Sequence, residues 1–168
     1  VMSRPPSSTP PAPAWPALVS AALVCTLTAG ALTGAFDLWS LRVLQRPVPL
    51  DHHRAHGFAQ LFGFVLLFII GLSQHLVPRF LGAPAAAPRS TRALKWTAIA
   101  GVVLLVAGRL GRLVPGSEAL GLLGAIGVLM TTTGWLRFLV AQWRRASVPH
   151  DGLPRFLLAG GAWWWVAA

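Results

Sequence analysis

Apolar runs of membrane-crossing length alternate along the chain with short polar or proline-bearing breaks. Trp15 to Phe36 is a stretch of 22 residues without a charge. A second run covers Gly57–Val77 and meets Pro78, a third covers about Ala93–Val114, a fourth Ala119 to about Leu136, and a fifth Phe156–Ala168. About 20 apolar residues cross a hydrocarbon core roughly 30 Å thick. The pattern predicts an all-α integral membrane protein, a polytopic helix bundle of four complete transmembrane helices plus a partial or truncated fifth. The first run exceeds the h-region of a signal peptide, about 7–15 residues, and reads as a retained helix. Pro78 lacks the N–H that a helix interior uses and is expected to end the second helix. The fifth run is too short to span and ends in "GAWWWVAA". Tryptophans gather at membrane interfaces, so this run is either an interfacial segment or the start of a helix in a longer protein. The second is the expectation here. Ahead of the bundle (15–168), residues 1–14 are rich in Pro and Ser, the composition of a disordered leader.

Composition agrees. The chain is 55% hydrophobic and 11% charged, with a mean hydropathy of +0.63, against about 25% charged in soluble domains. The net charge of +10 sets 14 Lys and Arg against Asp37, Asp51, Glu118 and Asp151. The cations stand at the ends of the apolar runs, where they fix topology and meet anionic lipid. No basic stripe interleaves with aromatics, which excludes nucleic acid as a partner and leaves the lipid bilayer. A single cysteine, Cys25, excludes an internal disulfide and a cysteine-based metal cluster. With the N-terminus on one side, that side collects nine cations (Arg4, Arg79, Arg89, Arg92, Lys95, Arg137, Arg144, Arg145, Arg155) and the other five (Arg42, Arg46, Arg54, Arg109, Arg112). The positive-inside rule then predicts a bacterial cytoplasmic (inner) membrane protein, multi-pass, with a cytoplasmic N-terminus. Asp51 to His56 would face outward. Arg109 follows Lys95 by only 14 positions; either both cations snorkel outward or Arg109 faces protein inside the membrane.

Candidate chemistry concentrates in "DHHRAHGFAQLFGFVLLFIIGLSQHLVPRF", residues 51–80, which hold four of the five histidines. On a helix His52 and His56 share a face, as do His53 and His56. His56 and His75 are roughly 28 Å apart along a helix, so the four histidines form at least two separate features. His52, His53 and His75 read as interfacial polar residues. His56 has Gln60 and Gly63 four and seven residues on, a polar head above a glycine-bearing face of the kind a flat macrocycle packs against. Imidazole is a common axial haem ligand, and an intramembrane histidine suggests function. Elsewhere there is no carboxylate pair for acid–base work, Asp37 and Asp51 read as loop-edge residues, and His150–Asp151 reads as a solvated loop. The short-residue faces Gly30–Gly34 and Gly121–Gly124–Gly127 read as close-packing surfaces for neighbouring helices.

The histidine-rich start at His53 and His56, the run Leu61-Phe62-Gly63-Phe64, Gly71 and Val77-Pro78 together resemble the second-helix signature of the NnrS family, haem–copper membrane proteins of the nitric-oxide response. Ala107-Gly108-Arg109-Leu110 is also similar to that family. His56-Gly57 and "LVPRFLGAP" at Leu76–Pro84 are more distantly similar to subunit I of haem–copper oxidases, where a second-helix histidine binds haem near the outer face. After His56 this chain has Gly57-Phe58-Ala59, where NnrS proteins have His-Glu-Met. Both families have about twelve helices, with further metal ligands in the later ones, so the likeness implies the N-terminal part of such a protein. It implies haem, with His56 as axial ligand, His52 or His53 as alternates, Gln60 and Gly63 against the macrocycle, and Arg109 on a propionate. Copper is implied by the family alone, without a ligand set in this chain.

Three functions follow as expectations. The first is a haem-binding, NnrS-like membrane protein linked to nitric-oxide response or respiratory metal handling, without turnover by this chain alone. The second is a non-catalytic subunit packing beside other membrane subunits of a respiratory or photosynthetic complex. The third is a proton or ion transporter using the histidines.

Overall fold

A computed structural model describes residues 13–85, 88–111, 115–147 and 152–167. The leader expected over 1–14 therefore lies outside the described residues except for its last two, and so does the His150–Asp151 pair. Among the described residues all regular secondary structure is helical, as the hydrophobic pattern predicts. Helix α1 runs Trp15–Arg42, α2 Leu50–Phe80, α3 Pro88–Leu110, α4 Ser117–Arg144 and α5 Leu153–Ala167. The first four are long and apolar enough to cross a membrane.

Two boundaries differ from expectation. Helix α2 begins at Leu50, seven residues before the apolar run, because Pro49 sets an extended start and Asp51 complements the positive end of the helix. His52, His53 and His56 thus stand in the helix and not in front of it. Pro78 does not end α2. It sits inside the last turn, where only one backbone bond is forgone. The helix stops instead at Gly82, in the left-handed region with φ 57°. There the amide of Ala83 donates to the Pro78 carbonyl (2.8 Å) and that of Gly82 to Arg79 (3.3 Å), the paired bonds of a glycine C-cap.

Helices α1 and α2 form an antiparallel hairpin through the loop 43–49. One apolar core runs through it and into the rest of the bundle, from Leu18, Phe62, Leu66 and Ile70 to Val102, Leu105, Val128 and Trp135. Helices α3 and α4 pack antiparallel at backbone distance. A Cβ on Gly101 would lie 2.8 Å from the Gly127 carbonyl carbon, and Cβ atoms on Gly108 and Gly124 would collide with the backbones of Gly121 and Leu105. The glycines of α4 are therefore consumed inside the bundle. Trp135 donates from Nε1 to Ser73 Oγ (2.8 Å), tying α4 to α2. Ser147 seals the ends of the same two helices through its amide on Leu81 (3.1 Å) and its hydroxyl on Gly82 (2.8 Å). Helix α5 lies on α4, Gly161 admitting Leu136 and Leu139, and Trp164 reaches Phe62 with ring centroids 6.3 Å apart.

Candidate functional site: the histidine end of the α1–α2 hairpin

Because α1 and α2 are antiparallel, positions equally far from the loop meet. At the loop end, Asp37 on α1 stands opposite the first turn of α2. It is not at a loop edge but inside the helix, 4% exposed. A buried carboxylate needs donors, and two imidazoles supply them. His52 Nδ1 donates to Asp37 Oδ1, and His53 Nδ1 to Asp37 Oδ2 at 2.9 Å. His52 is also packed by Phe36, ring centroids 5.1 Å apart, while the His53 side chain is 62% exposed.

One turn further in, His56 lies in the notch of Gly34: a Cβ there would be 2.7 Å from His56 Cε1. Its Nδ1 donates to the Gly30 carbonyl at 2.8 Å, with Thr33 Oγ1 at 3.4 Å. Gly30 in turn admits Gln60, whose Oε1 accepts from Thr26 Oγ1 at 2.7 Å. Gly63 faces Cys25, and the Cys25 thiol donates to the Ala59 carbonyl at 3.7 Å. The Gly30–Gly34 face is thus a close-packing surface, as expected, and its occupants are His56 and Gln60. It follows that the face carrying His56, Gln60 and Gly63 is no open groove. Helix α1 fills it, so a macrocycle does not lie there; His56 itself stays half-buried. Each of the two helices widens to i→i+5 hydrogen bonding where they meet here, over Thr26–Gly30 and Ala59–Leu66; such widened turns recur at functional sites.

In all three imidazoles Nδ1 is engaged by an acceptor, a carboxylate for His52 and His53 and a carbonyl for His56. Nε2 is then the nitrogen that carries the free lone pair in the neutral ring. Anchoring one nitrogen on a carboxylate or carbonyl is how proteins orient imidazole ligands. Among the described residues no three His, Cys, Asp or Glu side chains gather around one point as for a metal ion.

Arg109 arrives at the same end. Its guanidinium carbon lies 5.5 Å over the Phe58 ring, and its Nε is buried without a hydrogen-bond partner. It faces protein, the second of the two alternatives. His75 lies at the far end of α2, its ring 4.5 Å from that of Trp15, remote from the other three. Between the ends, the α1–α2 interface is apolar from Ala22 through Phe62, Leu66 and Ile70.

Asp37 is the residue that the sequence reading misses. It follows an uncharged run and so looks like a boundary; its signal is position, since residues 37 and 52–53 straddle a short loop at similar distances. No family model, curated protein or solved structure matches the chain.

Proposed function

We propose that this multi-pass membrane protein binds haem at the histidine end of the α1–α2 hairpin, as an NnrS-like protein of the nitric-oxide response or of respiratory metal handling. The observation that carries the proposal is the shared tautomer: three imidazoles at one membrane end, each held at Nδ1, each left with Nε2. His56 is the first candidate for axial ligand because it is the most deeply placed and is fixed by both Gly30 and Gly34. His52 and His53, backed by Asp37, are the alternates. Gln60 and Gly63 serve this role from behind, by holding the hairpin closed around His56, and not as a surface for the macrocycle. The guanidinium of Arg109, at the same end, suits a propionate. Haem would supply the redox or gas-binding chemistry, and this chain's residues would orient and anchor it; copper has no ligand set among the described residues, and any second axial ligand would come from sequence beyond this chain, from a partner or from water. The charge asymmetry favours the cytoplasmic membrane of a bacterium with the N-terminus inside, which sets the site at the outer face.

The subunit reading draws less support, because both glycine faces that would dock a partner are filled within the bundle. Proton transport draws support from Asp37 between two histidines, but the polar series ends at Thr26–Gln60 and an apolar interface follows. The test is optical: the purified chain, incubated with haem b, is expected to develop a Soret band that His56→Ala removes and His75→Ala leaves intact. Proton flux in liposomes without any haem band would favour transport instead.

A further inference from the structure

The end of the bundle opposite the histidines holds a second polar concentration. A cavity of about 540 Å³ opens there between the start of α3 and the end of α4. Arg137, Gln142 and Arg145 line it, together with the apolar Leu94, Met130 and Phe138. Gln142 is 1% exposed, and its Oε1 has no hydrogen-bond partner. An acceptor desolvated in this way is costly unless a donor reaches it, and since Gln142 lines the cavity, a turn of its amide would bring this acceptor to a ligand hydroxyl. Among the described residues no carboxylate pairs with Arg137 or Arg145. The three described carboxylates, Asp37, Asp51 and Glu118, all belong to the other end of the bundle, and Asp151 lies outside the described residues. The first turns of α3 also border the cavity through Ser90 and Thr91, adding the positive end of that helix.

Two guanidiniums without a carboxylate partner among the described residues, an acceptor awaiting a hydroxyl, and an apolar wall beside them fit one kind of molecule at a membrane interface. We infer that this cavity binds the headgroup of an anionic glycerophospholipid bearing a hydroxyl. Its phosphodiester lies between Arg137 and Arg145, a headgroup hydroxyl donates to Gln142 Oε1, and the acyl chains run along Leu94, Met130 and Phe138. Free phosphate offers the same charge but leaves the apolar wall unused. Basic pockets between helices at the cytoplasmic side are known headgroup sites, and this end is the cation-rich one.

The experiment is native mass spectrometry of the full chain released from detergent with phosphatidylglycerol, phosphatidylcholine or phosphatidylethanol of matched acyl chains. Phosphatidylethanol keeps the charge and lacks the hydroxyls. Phosphatidylglycerol adducts are expected to exceed phosphatidylcholine adducts at least about tenfold, given two basic residues at the headgroup. Replacing both arginines (R137Q with R145Q) brings phosphatidylglycerol down to the phosphatidylcholine level. Gln142→Leu lowers phosphatidylglycerol to the phosphatidylethanol level and leaves phosphatidylethanol unchanged. Equal retention of phosphatidylglycerol and phosphatidylcholine by the unaltered protein overturns the inference, and this arm needs no variant to fold. So does full retention after the double arginine change. Loss of the lipid adducts on adding inorganic phosphate also overturns it, and assigns the pocket to free phosphate.

Discussion

At the scale of single residues, the hairpin end depends on Asp37. Its two oxygens take the Nδ1 hydrogens of His52 and His53, and no other buried carboxylate is described in the chain. Asp37→Asn keeps the shape but offers one acceptor and no charge, so one imidazole must turn away or move its proton to Nε2 and accept from the amide. Hydrogen bonds to charged groups contribute about 1.5–3 kcal/mol each, and a loss of that order is expected in reversible unfolding by denaturing detergent. Asp37→Asn unfolding like the parent protein would show that the histidines do not depend on the carboxylate. The two glycines nearest His56 should behave oppositely. Gly34→Val drives a side chain into the imidazole and is expected to displace His56. A Cβ at Gly57 meets nothing within 4 Å, so Gly57→Ala is neutral or mildly stabilising, by up to about 1 kcal/mol in a helix. Equal damage from both changes would refute the placement of His56 in the Gly34 notch.

At the scale of elements, the four long helices were legible in the sequence because bilayer crossing demands long apolar runs and little else. The ends were less so. The polar stretch Asp51–His56 carries no hydrophobic signal, yet it is helical because Pro49 starts the helix and α1 packs against it. Pro78 was expected to stop α2, but a proline in the last turn forgoes one bond, and Gly82 supplies the real stop. The glycine faces could be recognised as packing surfaces from spacing alone. What fills them could not, since that is set by the register of one helix on another. Register also turned the presumed macrocycle groove of His56, Gln60 and Gly63 into a helix contact. The α3–α4 pair gives the corresponding prediction. Gly101→Val forces a branched side chain onto the Gly127 backbone, and overpacking of this kind costs about 1–3 kcal/mol. The same change at Gly160, where a Cβ meets nothing within 4 Å, should cost less. Thermal unfolding in detergent separates the two.

At the scale of the whole molecule, the two ends of the bundle differ in chemistry. One gathers Asp37, three histidines and Arg109; the other gathers Arg137 and Arg145 beside Gln142. In the orientation proposed from the charge asymmetry, the first is the outer face. In a Cys25→Ser background, a cysteine placed at Gln45 should react with a membrane-impermeant maleimide added to intact cells, and one placed at Ala83 only after lysis. The reverse pattern would invert the orientation and move the histidines inside.

The measurement that bears most directly on the proposed function is the absorption spectrum of the purified chain after incubation with haem b, taken for the parent protein and for the His52, His53, His56 and His75 alanine variants. A Soret band that disappears with His56→Ala, or with His52→Ala or His53→Ala if an alternate is the ligand, and persists with His75→Ala is the predicted result. No Soret band in the parent protein, or one that survives removal of all three clustered histidines, would contradict it.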